Sequence, residues 1–194
     1  MFLLQPHQSY MINDISPIMK HTCAVWARRI GKTTALAYQA CKWQQENPRS
    51  NIAIVGITRS MLTYVRESVK SFTEDFHGRF CSTSNQLRGL PVDALFIDEA
   101  DFIDDKMISH INKILDVSGD QLIVRAYGTK NNNKKDGEHF WQTLHLGPMV
   151  NVFYCGAQVL PYYDRVSEQL RKDYFVFVGD ESKKQYECEI LSRP

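Results

Sequence analysis

Short apolar runs alternate with amphipathic segments along most of this 194-residue chain. A run of roughly four to eight apolar residues predicts a buried strand, whereas apolar residues spaced three and four apart predict one face of a helix. The helical spacing is clearest in residues 59–73, whose apolar positions are Leu62, Val65, Val69 and Phe72. Such alternation of strands and helices is typical of a parallel sheet with crossover helices, and it predicts an α/β fold.

The same patterns predict where the elements lie. Strands are expected at 22–26, 51–57, 79–81, 94–98, 121–127 and 150–155. Helices are expected at 7–19, 32–46, 59–73, 105–115, 138–144 and 163–172. The alternation weakens after about Leu160, so residues 1–160 are predicted to form the core and 161–194 a C-terminal appendage or linker arm of the same domain.

Composition narrows the possible classes of protein. A hydrophobic content of 43% is enough for a core, and a net charge of +1 supports no global attraction to nucleic acid. The five cysteines are odd in number and lack C-x-x-C spacing, which argues against a disulfide framework or a zinc site. No apolar stretch approaches the ~20 residues of a membrane span, so no membrane partner is expected.

A phosphate-binding loop is predicted between the first strand and the second helix. It reads Ala27-Arg28-Arg29-Ile30-Gly31-Lys32-Thr33-Thr34, with Trp26 where the pattern G-x-x-x-x-G-K-S/T requires its first glycine. In such a loop the backbone N–H groups surround phosphate, the lysine reaches the β and γ oxygens, and the hydroxyl of the next residue binds Mg²⁺. The order strand, loop, helix supports a nucleotide site formed by residues 28–34.

A second motif, Leu95-Phe96-Ile97-Asp98-Glu99-Ala100-Asp101, ends an apolar strand in acidic residues. Asp98 is predicted to bind Mg²⁺ together with Thr33. Glu99 stands where hydrolytic ATPases place the carboxylate that orients or deprotonates the attacking water. Asp101 is predicted to cap the following segment.

A third candidate motif is Gly128-Thr129, which follows the strand at 121–127. A small polar residue here can sense the γ-phosphate and transmit its loss, so Thr129 is a candidate coupling residue. The alternative is an ordinary turn between strand and loop, which this short motif favours when taken alone.

Together these motifs resemble the ATPase domain of viral large terminases, the motors that pump double-stranded DNA into tailed-phage capsids. That family tolerates a missing first glycine and often carries arginine in the phosphate loop, as at Arg28-Arg29. Further matching segments are Asp98-Glu99-Ala100, Gly128-Thr129, Arg88-Gly89 and Leu4-Gln5-Pro6-His7-Gln8. The resemblance spans nearly the whole chain, although each of the later motifs is short.

The resemblance implies a recombinase-like, additional-strand P-loop NTPase with a mainly parallel central sheet, using ATP and Mg²⁺. It implies ATP hydrolysis that powers translocation of double-stranded DNA into a procapsid. The implied partners are the portal protein ring, the small terminase subunit and further copies of the chain in a ring, with a monomer in isolation. The implied location is the portal of the procapsid, in the host cytoplasm.

The resemblance also suggests roles for single residues, each with an alternative. Gln8 would read adenine through its amide, or it is an exposed helix residue. Arg28 would act as an arginine finger in its own site, with Arg29 a weaker candidate, or it is a surface arginine. Arg88 would act on the ATP of the next subunit, or it is a solvated loop residue.

Large terminases usually continue into a ribonuclease-H-like nuclease domain. Only 34 residues follow Leu160, fewer than the ~50 that a domain needs, so no nuclease domain is expected.

Two other functions remain open. A helicase-like DNA-dependent ATPase is suggested because Asp98-Glu99-Ala100-Asp101 spells D-E-A-D. Against it, Arg28-Arg29 replaces the small residues of helicase loops, and a second lobe is not expected. A nucleotide-binding assembly module without turnover is the other alternative, although intact Lys32 and Glu99 argue against it.

Overall fold

A six-stranded parallel sheet forms the centre of the molecule. The structure, a computed structural model, describes residues 4–15, 17–27, 30–129, 142–147 and 150–155. Its strands are β1 (His21–Trp26), β2 (Ile52–Val55), β3 (Arg79–Cys81), β4 (Ala94–Ile97), β5 (Ile123–Gly128) and β6 (Val150–Cys155). All six predicted strands are therefore confirmed, with ends that shift by two residues at most.

The strand order is β3-β2-β4-β5-β1-β6, and each neighbouring pair is parallel. The strand β5 lies between β4 and β1, so one additional strand separates the strand before the phosphate loop from the acidic strand. This order confirms the predicted fold class. It also brings the carboxyl ends of β1, β5 and β4 side by side, where parallel sheets place their binding sites.

Helices cover both faces of the sheet. They are α1 (Pro6–Ser9), which continues as π-helical Tyr10–Ile15, then α2 (Lys32–Glu46), α3 (Arg59–Lys70), α4 (Ser84–Leu87) and α5 (Asp105–Ser118), with 3-10 turns at Ala100–Phe102 and Gly119–Gln121. Side chains that cap helix N-termini set two of the starts: Thr58 accepts from the N–H of Met61, and Asp104 accepts from the N–H of Met107.

Successive strand residues point to opposite faces, which divides the core in two. In β1, Ala24 and Trp26 pack with α2 and α3, whereas Cys23 and Val25 pack with α5. Burial on both faces explains why the strands read as continuous apolar runs.

The first predicted helix, 7–19, differs from the structure. It is helical only to Ile15, and residues 17 and 18 form a turn, because Pro17 has no N–H to donate to a helical bond. The short helix α4 was not predicted; a capping box between Thr83 and Gln86 stabilises it. Most of the predicted helix 138–144 lies outside the described residues, and its residues 143–144 form a bend. The predicted helix 163–172 lies entirely outside the described residues.

Among the described residues are four buried free thiols, those of Cys23, Cys41, Cys81 and Cys155. None of the described helices combines the length and the apolar character needed to cross a membrane.

Candidate nucleotide-binding site

The predicted phosphate loop follows β1, and α2 begins directly after it at Lys32. Gly31 precedes the helix with φ +83°, a left-handed conformation that favours glycine. A Cβ at this position would collide with Nε2 of Gln8, so the end of the Gln8 side chain would have to shift to admit it. Ile30 is buried beside the loop, while Arg28 and Arg29 lie outside the described residues.

Trp26, which replaces the first glycine of the motif, is a core residue. Its ring packs edge-on against His7, Tyr127 and Phe153, at centroid distances of 5.1, 5.6 and 6.1 Å. As the last residue of β1 its side chain faces the sheet core, not the loop. The residue that departs from the motif therefore contributes its side chain to the hydrophobic core.

Lys32 lies where three strand ends meet. Its Nζ donates to Oγ1 of Thr129 at 2.8 Å and to the carbonyl oxygens of Trp26 and Ala27 at 3.4 Å each. It also forms an ion pair with Oε1 of Glu99 at 3.7 Å. With a side chain only 5% exposed, Lys32 is a cation held by oxygen atoms.

Thr33 and Asp98 form the second contact that the sequence predicts. The Thr33 hydroxyl donates to Oδ2 of Asp98 at 3.1 Å, and the Asp98 N–H donates to the carbonyl of Val55. Burial raises the pKa of the Asp98 carboxyl to about 6, and the neighbouring Glu99 carboxylate adds to the rise. A hydroxyl and a carboxylate side by side are oxygen ligands that fit a hard divalent cation such as Mg²⁺.

Glu99 has an unusual backbone. Among the described residues it is the one non-glycine residue with a positive φ, +48°. A left-handed residue costs about 1–2 kcal/mol, and strain of this kind is concentrated at functional sites. The turn leaves the Glu99 side chain 22% exposed and in the ion pair with Lys32.

Asp101 does not cap the following helix, so that prediction is wrong; Asp104 is the cap of α5. Asp101 is 4% exposed, and its Oδ1 accepts from the backbone N–H of Thr129 at 2.9 Å. Burial raises the pKa of the Asp101 carboxyl to about 6, against the lowering effect of this hydrogen bond. Sequence reasoning missed the contact because it joins residues from two strand ends.

Thr129 lies directly after β5, whose last residue is Gly128. It is 2% exposed, and it bonds Lys32 through its hydroxyl and Asp101 through its N–H. The position of β5 between β1 and β4 brings it there. Thr129 is thus part of the site and more than a turn between strand and loop; its role in sensing γ-phosphate stays a prediction.

The N-terminal segment packs on the phosphate loop. Nε2 of Gln8 donates to the carbonyl of Gly31 at 3.0 Å, and its Oε1 accepts from the N–H of Gln5 at 2.8 Å. Nε2 of His7 lies 3.0 Å from the carbonyl oxygen of Ile30. Gln8 is therefore buried, not an exposed helix residue, and its reading of adenine stays a prediction. His7, which the sequence analysis did not select, is a second contact to the loop.

A cleft of about 490 Å³ opens beside this cluster. It is bounded by the start of α2, the acidic strand end and the polar face of α3, and its lining comprises Thr33, Thr34, Met61, Tyr64, Glu67, Ser68, Ser71, Asp98 and Glu99. The volume is typical of a small-molecule site. The contribution of α3 was not predicted, because its pattern identified only the opposite, apolar face.

Arg88 is not among the residues that line this cleft. It is exposed at the C-terminal end of α4, which follows the edge strand β3. The structure therefore gives it no contact with the cleft of its own chain, and action on a neighbouring subunit stays a prediction.

No family model matches the sequence, and no curated protein matches it. Solved structures do match. The large terminase ATPase domain of Thermus phage P74-26 is 16% identical, with a TM-score of 0.62 over 96% of this chain and 92% of that one. A large terminase of a thermophilic bacteriophage, in complex with ADP, is 15% identical with a TM-score of 0.67, over 98% of this chain and 53% of that one.

The Sulfolobus solfataricus SWI2/SNF2 ATPase core, in complex with double-stranded DNA, is 16% identical with a TM-score of 0.56, over 98% of this chain and 43% of that one. Helicases are also among the matching structures. The fold is therefore that of phage large terminase ATPase domains and of helicase-like ATPases.

Proposed function

We propose that this chain hydrolyses ATP. The observation that carries the proposal is the meeting of Lys32, Thr129, Asp98 and Glu99 at three adjacent strand ends, next to a cleft. Phosphate, metal and water each have a residue of matching chemistry within this cluster. The similarity to a terminase in complex with ADP supports a nucleotide as the ligand.

Thr33 and Asp98 would hold Mg²⁺, which when bound neutralises charge on the phosphate oxygens. Lys32 exchanges its contacts with Thr129 and Glu99 for the β and γ oxygens of ATP. That exchange leaves Glu99 without its cation, so its carboxylate can orient the attacking water and accept a proton from it. The bond from water to the γ-phosphorus then forms as the bond to the ADP oxygen breaks.

For the biological role, we propose translocation of double-stranded DNA into a viral procapsid. The motifs and the fold both resemble large terminases, and a DNA-bound ATPase core shares the fold. In this proposal the chain works as a ring of copies on the portal protein ring, with the small terminase subunit, at the procapsid in the host cytoplasm. Arg28 and Arg88 are candidate fingers, acting within one subunit and between subunits.

The test compares Lys32→Ala with Lys42→Ala in a phosphate-release assay. Lys42 lies on the same helix, and its Nζ donates to Oδ1 of Asn13 in an exposed contact. Lys32→Ala should lower turnover at least ~100-fold, because it removes the cation that faces the phosphates. Lys42→Ala should stay near wild type. Near-wild-type hydrolysis by Lys32→Ala would overturn the assignment of this loop.

A helicase-like ATPase is the second candidate, since helicases share the fold. Unwinding of a forked duplex would support it, whereas displacement of a third strand from intact duplex would support packaging-type translocation. Absence of phosphate release under all conditions would point to the third candidate, an assembly module that binds nucleotide without turnover.

A further inference from the structure

A chain of two hydrogen bonds runs from the phosphate loop to the segment before α5. Nζ of Lys32 donates to the hydroxyl of Thr129 at 2.8 Å, and the N–H of Thr129 donates to Oδ1 of Asp101 at 2.9 Å. Asp101 belongs to the 3-10 turn at Ala100–Phe102, which leads into α5. The two bonds use different groups of Thr129, so one fixes its backbone while the other uses its hydroxyl.

The surroundings of Asp101 indicate more than structural support. Its Oδ2 is buried and has no hydrogen-bond partner among the described residues. A buried carboxylate with one unbonded oxygen lowers the stability of the fold, because one hydrogen bond does not replace all of its lost hydration. The helix that follows does not need it either, since Asp104 caps α5. What Asp101 does contact is the residue that holds Lys32.

We propose that Asp101 is a positioning residue: it holds Thr129 against Lys32, so that occupancy of the phosphate loop is relayed to the turn before α5. The inference rests on the proposed ATPase function and deepens it. When Lys32 moves to phosphate oxygens, Thr129 loses a partner at its hydroxyl while its backbone stays bound to Asp101. A change at the nucleotide thereby reaches the acidic segment through Thr129.

The first experiment measures steady-state ATP hydrolysis of Asp101→Ala, Asp101→Asn and Asp104→Ala. Asp101→Ala should lower kcat about tenfold or more with KM changed less than about threefold, because a bond to a charged acceptor is lost near the reacting groups. Asp101→Asn keeps an acceptor oxygen and should recover most of the rate. Asp104→Ala loses only a helix cap, so its thermal stability should fall while kcat stays near wild type.

A double-mutant cycle with Thr129→Ala separates positioning from general destabilisation. If Asp101 acts through the Thr129 hydroxyl, Asp101→Ala should cost less than about twofold in kcat once that hydroxyl is absent. An equal cost in both backgrounds would overturn the proposal. So would an Asp101→Ala variant with wild-type kcat.

Amide exchange at Thr129 provides a readout that needs no turnover. Asp101→Ala should speed exchange of the Thr129 N–H in nucleotide-free protein, whereas Asp104→Ala should not. Unchanged exchange would show that Asp101 does not hold Thr129. If wild-type protein and Lys32→Ala are equally inactive, the proposed function fails separately, and this exchange alone then decides whether Asp101 positions Thr129.

Discussion

At the scale of single residues, the site is a balance of charges in a confined space. Lys32 forms an ion pair with Glu99. Its positive charge also favours the ionised forms of Asp98 and Asp101, whose pKa values are raised mainly by burial. Among the described residues, the site therefore holds one cation, Lys32, beside three acidic groups. A divalent cation bound with phosphate would add positive charge next to these carboxyls.

We expect Glu99→Gln to bind nucleotide and Mg²⁺ and to hydrolyse ATP at least ~100-fold more slowly, because the amide cannot accept a proton from water. Nucleotide affinity should stay within a few fold, or tighten, since Lys32 is released from an ion pair. Isothermal calorimetry and phosphate release measure the two effects.

Glu67→Gln is the matched control, because Glu67 is a carboxylate of α3 that lines the same cleft. It should hydrolyse ATP near the wild-type rate. A loss of turnover in Glu67→Gln but not in Glu99→Gln would mean that the catalytic carboxylate lies on the opposite wall.

The raised pKa of Asp98 gives stability a definite pH dependence. The pKa of this carboxyl in the folded chain is about 6, against an ordinary value of 3.8, so between these two values the folded chain keeps a proton that the unfolded chain releases. This contribution to stability is present at low pH and lost as pH rises through 6. Asp98→Asn should therefore be more stable than wild type at pH 7.5, by on the order of 3 kcal/mol, and nearly equal to it at pH 4.

Urea unfolding of nucleotide-free protein at the two pH values tests this expectation. The control is Asp105→Asn, which removes a carboxylate at an exposed position of α5. The same stability difference between Asp98→Asn and wild type at both pH values would contradict the assigned shift. Asp98→Asn should also lose the Mg²⁺ dependence of nucleotide binding.

At the scale of elements, local pattern was enough for the strands and for most helices. The sheet is buried on both faces, so each strand is an apolar run that periodicity detects. The pair Thr33 and Asp98 followed from motif chemistry. The contacts of Thr129 with Lys32 and Asp101 did not, because they depend on β5 inserting between β1 and β4. No local pattern encodes that order, nor does it place the polar face of α3 on the cleft.

The start of α2 offers a test of how the loop is built. Gly31→Ala should destabilise the protein and weaken nucleotide binding, because the added Cβ strains a left-handed backbone and collides with Nε2 of Gln8. Gly119→Ala is the control: its φ is +52°, but nothing lies within 4 Å of the added Cβ. It should cost only the strain of placing a side chain on a backbone with positive φ.

Adding Gln8→Ala to Gly31→Ala isolates the steric part. We expect the double variant to be more stable than Gly31→Ala alone, since the clashing amide is gone, although strain remains at Gly31. Thermal unfolding measures all of these variants. Equal destabilisation of Gly31→Ala and Gly119→Ala, together with no effect of adding Gln8→Ala to Gly31→Ala, would contradict this expectation. The packing of Gln8 on the loop would then not restrict the residue at position 31.

At the scale of the whole molecule, the edge strand β3 contributes no residue to the lining of the cleft. Arg88 is exposed after α4, beyond the edge strand β3. If it serves a neighbour's site, Arg88→Ala should bind ATP normally and lose activity mainly in the assembled ring, by up to ~10³-fold. Arg79→Ala, at an exposed position of β3, is the control. If Arg88→Ala were as active as wild type in the assembled motor, Arg88 would be a solvated surface residue without a catalytic role.

Mixing subunits sharpens this test. An Arg88→Ala subunit keeps Glu99, and a Glu99→Gln subunit keeps Arg88, so a mixed ring contains sites with both groups intact. Partial recovery of hydrolysis in the mixture is expected. If no mixing ratio restored ATP hydrolysis, the action of Arg88 on a neighbouring subunit would be contradicted.

Trp26 gives this molecule an optical signal of its own. The indole lies between three rings, and the carbonyl oxygen of the same residue accepts from Nζ of Lys32. Departure of that ammonium towards phosphate alters the electric field on the indole, so its emission should shift when nucleotide binds. In a Trp43→Phe Trp141→Phe background Trp26 is the one tryptophan left, because the chain has three. A stopped-flow trace of its fluorescence would then time the filling of the loop without any attached dye.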